Sequence, residues 1–459
     1  MKPEKEVDIA IETTALIVSS PEHHNISPPS FHDIPRDSAV SKSSSIDEKS
    51  GELEISCNLF KSFVGIGILS LSYGMKEAGI ILANLLIILC SFLTFWSISV
   101  CVKVVDHMNV KVVSFSDLCY LVTGRWGFIT ARFCVVVLQV GVCAVYCSFF
   151  GIFFNNVFCY AGIQSLCTYF GLDLLLCLLI IIPLSLVKNL TNYNRFSLLA
   201  NVFVVTVLLV FFAKSCQRIS SDGLVGHDMF IFEKFPFIFG ISIFVIECIG
   251  IVFEMRDSMK EPHKFQSVLI KNFVIATAIY TILPTIYYLS FGDSVKELII
   301  FNIPIENPLG MAVQILYAIA LCISYPLQLF PVFIIIESLV STPEKENLLL
   351  LDKTAHNKRK TLNKIKIYLA RLFIVCVIVV ISWCIPGIAV FINLLGAFGS
   401  TTLGMLFPVM IGEIYLYRNK DYKGYPLYSR IINWISLTVG MIGGGLAITF
   451  SIMKIAHGS

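Results

Sequence analysis

The chain of 459 residues is 56% hydrophobic and 14% charged, and its mean hydropathy is +0.81. That composition excludes an ordinary soluble domain and predicts a polytopic membrane protein embedded in a lipid bilayer. The formal net charge of +3 is small and gives no reason to expect a nucleic-acid partner.

The first 54 residues differ from the rest because Ser, Pro, Lys, Glu and Asp replace most apolar residues. We expect a disordered tail over 1–54 and a transmembrane domain over 55–455. No basic start precedes a short apolar run, so no cleaved signal peptide is expected. Lys and Arg are concentrated in alternate connections, which by the positive-inside rule predicts a cytoplasmic N-terminus.

Eleven apolar spans follow the tail, and each is long enough to be read as a membrane-crossing helix of about 20 residues. The fifth is the shortest of the convincing ones. The predicted fold class is therefore an all-α polytopic membrane protein with 11 transmembrane helices. The spans are 55–75, 80–105, 129–154, 171–187, 196–213, 236–255, 268–290, 308–336, 367–385, 388–411 and 431–453.

Two of these spans carry residues that predict a break at mid-membrane. The first has Gly65-Ile66-Gly67 at its midpoint, and the sixth has Glu247-Cys248-Ile249-Gly250. Glycine is a poor helix former, and freed backbone groups at membrane depth are tolerated only where they line a cavity. Close helix packing is the alternative for the glycines, although packing motifs usually space small residues four apart.

The positions of the two breaks predict an inverted repeat. Spans 1–5 and 6–10 form two halves of five, and an odd number inverts the second half, leaving span 11 outside. Broken helices 1 and 6 then cross near the bilayer centre. The positive end of a half-helix attracts a carboxylate and its carbonyl end attracts a cation, which suits a free α-amino acid.

Four further side chains are candidates for roles at such a site. Glu247 is the acidic residue deepest in any span, and ionisable groups there usually face a pathway. Its alternative role is structural, as the partner of a freed backbone N–H. Lys61 either gates the first span or extends to the surface. Tyr146 and Tyr325 are candidates to supply hydroxyls, with packing as the alternative.

The remaining patterns argue against other chemistry. No His lies within a span core, and neither GxxxxGK[ST] nor HExxH occurs, so we expect no enzyme activity, metal or cofactor. Most Cys residues lie inside spans, where they behave as small apolar residues. Cys159, Cys167 and Cys216 lie near the predicted non-cytoplasmic side, where one pair is a candidate disulfide.

Several segments resemble the amino acid/auxin permease superfamily, especially its proton-coupled and fungal vacuolar amino acid transporters. They occur in the same order over about 55–412. The segments are KSFVGIGIL at 61–69, SIFVIECIG at 242–250, YLSFGD at 288–293, and LGAFGS at 395–400 with Phe407-Pro408.

The resemblance implies a LeuT-type fold and proton-driven transport of small neutral amino acids. Carried over by position, the backbone of Gly65, Ile66 and Gly67 contacts substrate. Some proton-coupled members have His where Asn58 stands here, so Glu247 is left as the candidate for proton coupling. Sodium remains an alternative coupling ion. The expected substrate-binding set is Ser62, Val64, Gly65, Ile66, Gly67, Tyr146, Ile243, Phe244, Gly250 and Tyr325, with Glu247 on the opposing wall.

Compartment and mode of action are predicted less directly. Glu12–Ile17 fits an acidic dileucine-like signal for sorting adaptors, which favours a vacuolar or lysosomal membrane over the plasma membrane. A sodium-coupled amino acid carrier is one alternative function. An amino acid sensor, which binds without much flux and signals through the tail, is another.

Overall fold

The computed structural model describes most of the chain from Ser50 to His457. Within the described residues the regular structure is helical, apart from one isolated bridge between Ser50 and Met259. The predicted tail up to 49, the Glu12–Ile17 motif, Val64 and Cys167 lie outside them. The described ranges are 50–63, 65–108, 110, 112, 114–163, 170–185, 193–225, 228–340, 353–385, 387–419 and 426–457.

The helices are numbered here in chain order. They are α1 (Glu52–Phe63), α2 (Ile68–Ala78), α3 (Ile80–Met108), α4 (Phe115–Thr123), α5 (Arg125–Tyr160), α6 (Phe170–Ser185), α7 (Tyr193–Asp222), α8 (Phe235–Ile246), α9 (Ile249–Ser258), α10 (Phe265–Phe291), α11 (Pro308–Val340), α12 (Lys353–Cys384), α13 (Ile388–Leu395), α14 (Phe407–Arg418) and α15 (Leu427–Ala456). Two π-helical turns, Gly396–Ser400 and Thr402–Leu406, join α13 to α14.

Nine segments among the described residues are long and apolar enough to cross a membrane. The prediction of an all-helical, multi-pass membrane protein is thereby confirmed. Within the described residues, neither of the two predicted spans outside the nine forms a helix of 18 residues or more. The span 55–75 is divided into α1 and α2, of 12 and 11 residues, and the span 171–187 corresponds to the 16-residue α6.

Some helices differ from the predicted spans. The fifth predicted span, 196–213, belongs to the 30-residue α7, so its description as the shortest was wrong. The last turns of this helix are polar, so a search for apolar residues does not include them. Helix α4 was not predicted. Its signal was local, because Ser114 and Asp117 form a capping box at its start.

Helix α8 is the centre of the bundle. Almost all of its side chains are buried, and it packs against α2, α3, α13 and α15. Its backbone contacts the first π-turn directly: a Cβ at Gly396 would lie 1.9 Å from the carbonyl oxygen of Gly240. Glycine at Gly396 therefore lets α8 and the α13–α14 segment approach more closely than any side chain would permit.

Candidate functional site

The first break lies between α1 and α2. Helix α1 ends at Phe63 and α2 begins at Ile68, so the helix is interrupted where the glycines stand, as predicted. Gly67 has ordinary right-handed helical angles. Glycine is needed here because there is no room for a side chain: a Cβ at this position would lie 2.4 Å from Cγ1 of Val245. The two breaks therefore meet at Gly67.

The second break lies between α8 and α9. Helix α8 ends at Ile246 and α9 begins at Ile249, leaving Glu247 and Cys248 between them. The Ile249 amide donates to Oε1 of Glu247 at 2.8 Å. The half-buried carboxylate thus serves a backbone N–H freed by the break, as the structural alternative for this residue supposed.

A tyrosine of α10 joins the two breaks. The hydroxyl oxygen of Tyr280 lies 2.5 Å from the carbonyl oxygen of Phe63 and 2.9 Å from that of Val245. Its side chain is fully buried. Sequence reasoning missed Tyr280 because a tyrosine within an apolar span usually serves packing.

A cavity of about 90 Å³ opens between the breaks. Residues of α5, α11 and the first π-turn complete its wall. Half of its lining had been predicted from the sequence. The predicted residues that line the cavity are Ser62, Gly65, Ile66, Gly67, Tyr146, Phe244 and Glu247.

The other half of the lining was missed as site residues. Gln139 Oε1 and Ser400 Oγ line the cavity and are buried without a hydrogen-bond partner among the described residues. Polar atoms left without partners in an apolar span are a signal of ligand contact, but only a structure shows which ones are unpartnered. The missed residues are Phe63, Leu138, Gln139, Val142, Val245, Gln328 and Ser400.

Three predicted site residues do not line this cavity. Ile243 and Tyr325 are fully buried elsewhere. Gly250 lies in the first turn of α9, where none of the described residues comes within 4 Å of the position a Cβ would take. Gln328, one turn beyond the candidate at Tyr325, lines the cavity from α11. Val64 and the side chain of Lys61 lie outside the described residues.

Different contacts link the helices at the two ends of the bundle. Beyond α2, the buried residues of the short Ile299–Asn302 helix cover the bundle, with Phe301 stacked 5.3 Å from Phe149. At the opposite end, Arg256 Nε of α9 donates to Asp106 Oδ1 of α3 at 3.1 Å.

A hydrogen bond and an ion pair connect the start of α1 to the end of α9 and the loop that follows it. The Ser50 amide donates to the Ser258 carbonyl at 2.9 Å, and Lys264 Nζ lies 3.2 Å from Glu52 Oε1. Lys264 also donates to Glu261 in the same exposed loop and lowers the pKa of that carboxyl.

The two described cysteines among those predicted near the non-cytoplasmic side differ in whether they form a disulfide. Cys216 has a free thiol, whereas Cys159 is disulfide-bonded. The candidate pairing of Cys159, Cys167 and Cys216 therefore does not involve Cys216.

The arrangement offers complementary partners to a small zwitterion. The start of α2 presents the positive end of a helix dipole to the cavity, which favours a carboxylate. Glu247, Gln139 Oε1 and Ser400 Oγ also line the cavity and supply acceptors for a donor such as an ammonium.

The fold and the site define a multi-pass membrane protein with a small polar cavity between interrupted helices. A family model described as transmembrane amino acid transporter protein matches residues 48–453, and the chain belongs to this family. The expected resemblance is confirmed, and the family is one of transporters rather than enzymes.

Relatives were found in fungi and animals. The chain is 30% identical to Vacuolar amino acid transporter 4 of Saccharomyces cerevisiae, over 61% of this chain and 40% of that protein. It is 28% identical to Vacuolar amino acid transporter 3 of the same yeast, over 63% and 42%. It is 26% identical to Proton-coupled amino acid transporter-like protein pathetic of Drosophila melanogaster, over 84% and 81%. The matches span less than half the length of the two yeast relatives.

Proposed function

We propose that this protein is a secondary active transporter of small neutral amino acids that works by alternating access and is coupled to protons. The observation that carries the proposal is the cavity between the two breaks, where the start of α2 and Glu247 face a common space. Discontinuous helices that meet at mid-membrane are the usual substrate sites of secondary transporters.

The size of the cavity favours a small substrate. A cavity needs roughly 10–15 Å³ to hold one water molecule. The observed 90 Å³ therefore has room for about six to nine atoms of water size. A small amino acid fits that volume, with its carboxylate at the start of α2 and its ammonium near Glu247. Its side chain would lie against Tyr146 and Phe244.

Glu247 is the proposed proton-coupling group. The Ile249 amide holds its carboxylate at the cavity wall, where a bound proton would remove the negative charge of the side chain before it crosses the membrane with the substrate. A carboxylate at such depth is costly when charged, which favours carrying the substrate and a proton together. Lys61 keeps its proposed gating role at the end of α1.

The proposal also includes a topology with more membrane helices than the nine described spans. We infer eleven membrane helices in which the α1–α2 pair and α6 complete the set, arranged as a LeuT-type 5+5 inverted repeat. The N-terminus and the end containing Asp106 and Arg256 would then face the cytoplasm. The names of the yeast relatives support a vacuolar membrane, with sorting adaptors acting on Glu12–Ile17.

Flux through the purified full chain in proteoliposomes tests this function. We expect uptake of a small neutral amino acid when an inward proton gradient is imposed in sodium-free buffer, and little uptake without the gradient. Flux that follows a sodium gradient and ignores pH would instead support a sodium-coupled carrier. Binding of the amino acid without flux under either gradient would overturn the transporter proposal in favour of a sensor.

A further inference from the structure

The hydroxyl of Tyr280 lies where the two broken helices end. Phe63 is the last residue of α1, and Val245 is the residue before the last of α8. Carbonyls in the final turn of a helix lack the usual i+4 partner and carry the negative end of the helix. Both of these carbonyls direct their oxygens at one hydroxyl, at 2.5 Å and 2.9 Å. The Phe63 carbonyl also accepts the Gly65 amide at 3.1 Å.

A phenol has a single O–H donor, so Tyr280 can serve only one of the two carbonyls at a time. Phe63 has the shorter contact in this structure. Rotation about the C–O bond would move the donor to Val245 without breaking a covalent bond. The hydroxyl is therefore an element with two discrete arrangements, each tied to a different broken helix.

The helix that carries Tyr280 is suited to hold that point fixed. Helix α10 is continuous over 27 residues and packs against α1, α2, α3 and α7. Asn272 of the same helix donates to Ser56 Oγ of α1 at 2.8 Å, so α10 contacts α1 at two levels. A movement of α1 away from α8 would change the partner of the hydroxyl.

We propose that Tyr280 is a positioning residue that couples the two breaks, its O–H serving Phe63 while the broken helices are together and Val245 when α1 moves away. This inference rests on the proposed transport function. Its consequence for transport is that the opening of one break affects the other. Tyr280 itself does not line the cavity, so it acts without contacting substrate.

A matched control is present on the same helix. Tyr287 is also fully buried, and its hydroxyl donates to the Leu208 carbonyl of α7 at 2.8 Å, away from both breaks. Tyr280→Phe and Tyr287→Phe each remove one buried hydroxyl-to-carbonyl bond. A merely structural role predicts similar losses of stability and of flux in the two variants.

Proteoliposome flux should separate the two variants. We expect Tyr280→Phe to lower maximal net flux by roughly tenfold with KM changed less than threefold, and Tyr287→Phe to stay within about twofold on both. Equal flux losses in the two variants, or normal flux in Tyr280→Phe, would overturn the proposal. A Tyr280→Phe protein that fails to fold beside a folded Tyr287→Phe would overturn it too, because the hydroxyl would then serve the fold.

A second readout does not depend on transport. Cys248 is a free, buried thiol next to Glu247 in the second break, and peptide mass analysis separates it from the other cysteines. We expect N-ethylmaleimide to label Cys248 at least fivefold faster in Tyr280→Phe than in Tyr287→Phe. Equal labelling would contradict coupling between the breaks. If the unmodified protein shows no flux, the transport proposal fails while this comparison still tests the coupling.

Discussion

Gly67→Ala tests whether the two breaks are packed as closely as the structure shows. The new Cβ would lie 2.4 Å from Val245 Cγ1 and 2.9 Å from Phe244 Cδ1, where ordinary contact begins at 3.4 Å. The breaks would have to separate by about 1 Å, because packed side chains have little room to yield. Overpacking of this kind costs about 1–3 kcal/mol.

The same substitution has a favourable term, because Gly67 already has helical angles. Replacing a glycine by alanine at angles that alanine also adopts gains about 0.4–1 kcal/mol, because the unfolded chain loses conformational freedom. The net loss of unfolding free energy is therefore between about 0 and 2.5 kcal/mol, and the protein should still fold.

Transport should suffer more than stability, since the cavity wall itself moves. We expect maximal amino acid flux in proteoliposomes to fall by roughly tenfold or more, with the folded yield measured in parallel by thermal unfolding. A Gly67→Ala variant with normal flux and a raised unfolding temperature would refute the close contact.

Three other changes follow from the same geometry. Gly65→Ala places its methyl group where none of the described residues lies within 4 Å, so it should fold normally and raise the KM of bulky amino acids more than that of glycine. Equal KM changes for both would contradict a cavity at this position. Gln139→Leu removes an unpartnered acceptor from the cavity, so thermal stability should hold or rise while substrate KM increases, and an unchanged KM would exclude contact with substrate. Asp106→Asn weakens a partly exposed ion pair with Arg256, so it should cost no more than about 1 kcal/mol in denaturant unfolding; a larger loss would show that the pair is better shielded than its exposure indicates.

The sequence identified the breaks because their residues are exceptions to their surroundings. Gly65, Gly67 and Glu247 stand in runs of apolar helix formers, so each departs from what a plain membrane helix requires. The structure shows that glycine is needed at position 67 for a reason other than the one expected. The backbone angles of Gly67 are right-handed helical, and it is the close contact with Val245 that leaves no room for a side chain.

The rest of the wall depends on helix rotation, which the sequence does not encode locally. A helix that is apolar all round has no periodic pattern to show which face meets the cavity. For this reason the sequence indicates Tyr325 on α11, whereas Gln328 is the residue that lines the cavity. For the same reason Tyr280 and Gln139 were missed, since their significance lies in contacts with other helices.

Glu247→Gln separates the structural role of this residue from its proposed role in coupling. The amide oxygen of Gln can still accept the Ile249 N–H that Glu247 accepts at 2.8 Å, so the second break should stay intact. Only the ability to carry a proton is lost. Net flux and substrate exchange should be compared for wild type and Glu247→Gln in proteoliposomes under a pH gradient without sodium. We predict that the variant exchanges amino acid but loses gradient-driven net flux. Equal gradient-driven flux in both proteins would contradict proton coupling through Glu247.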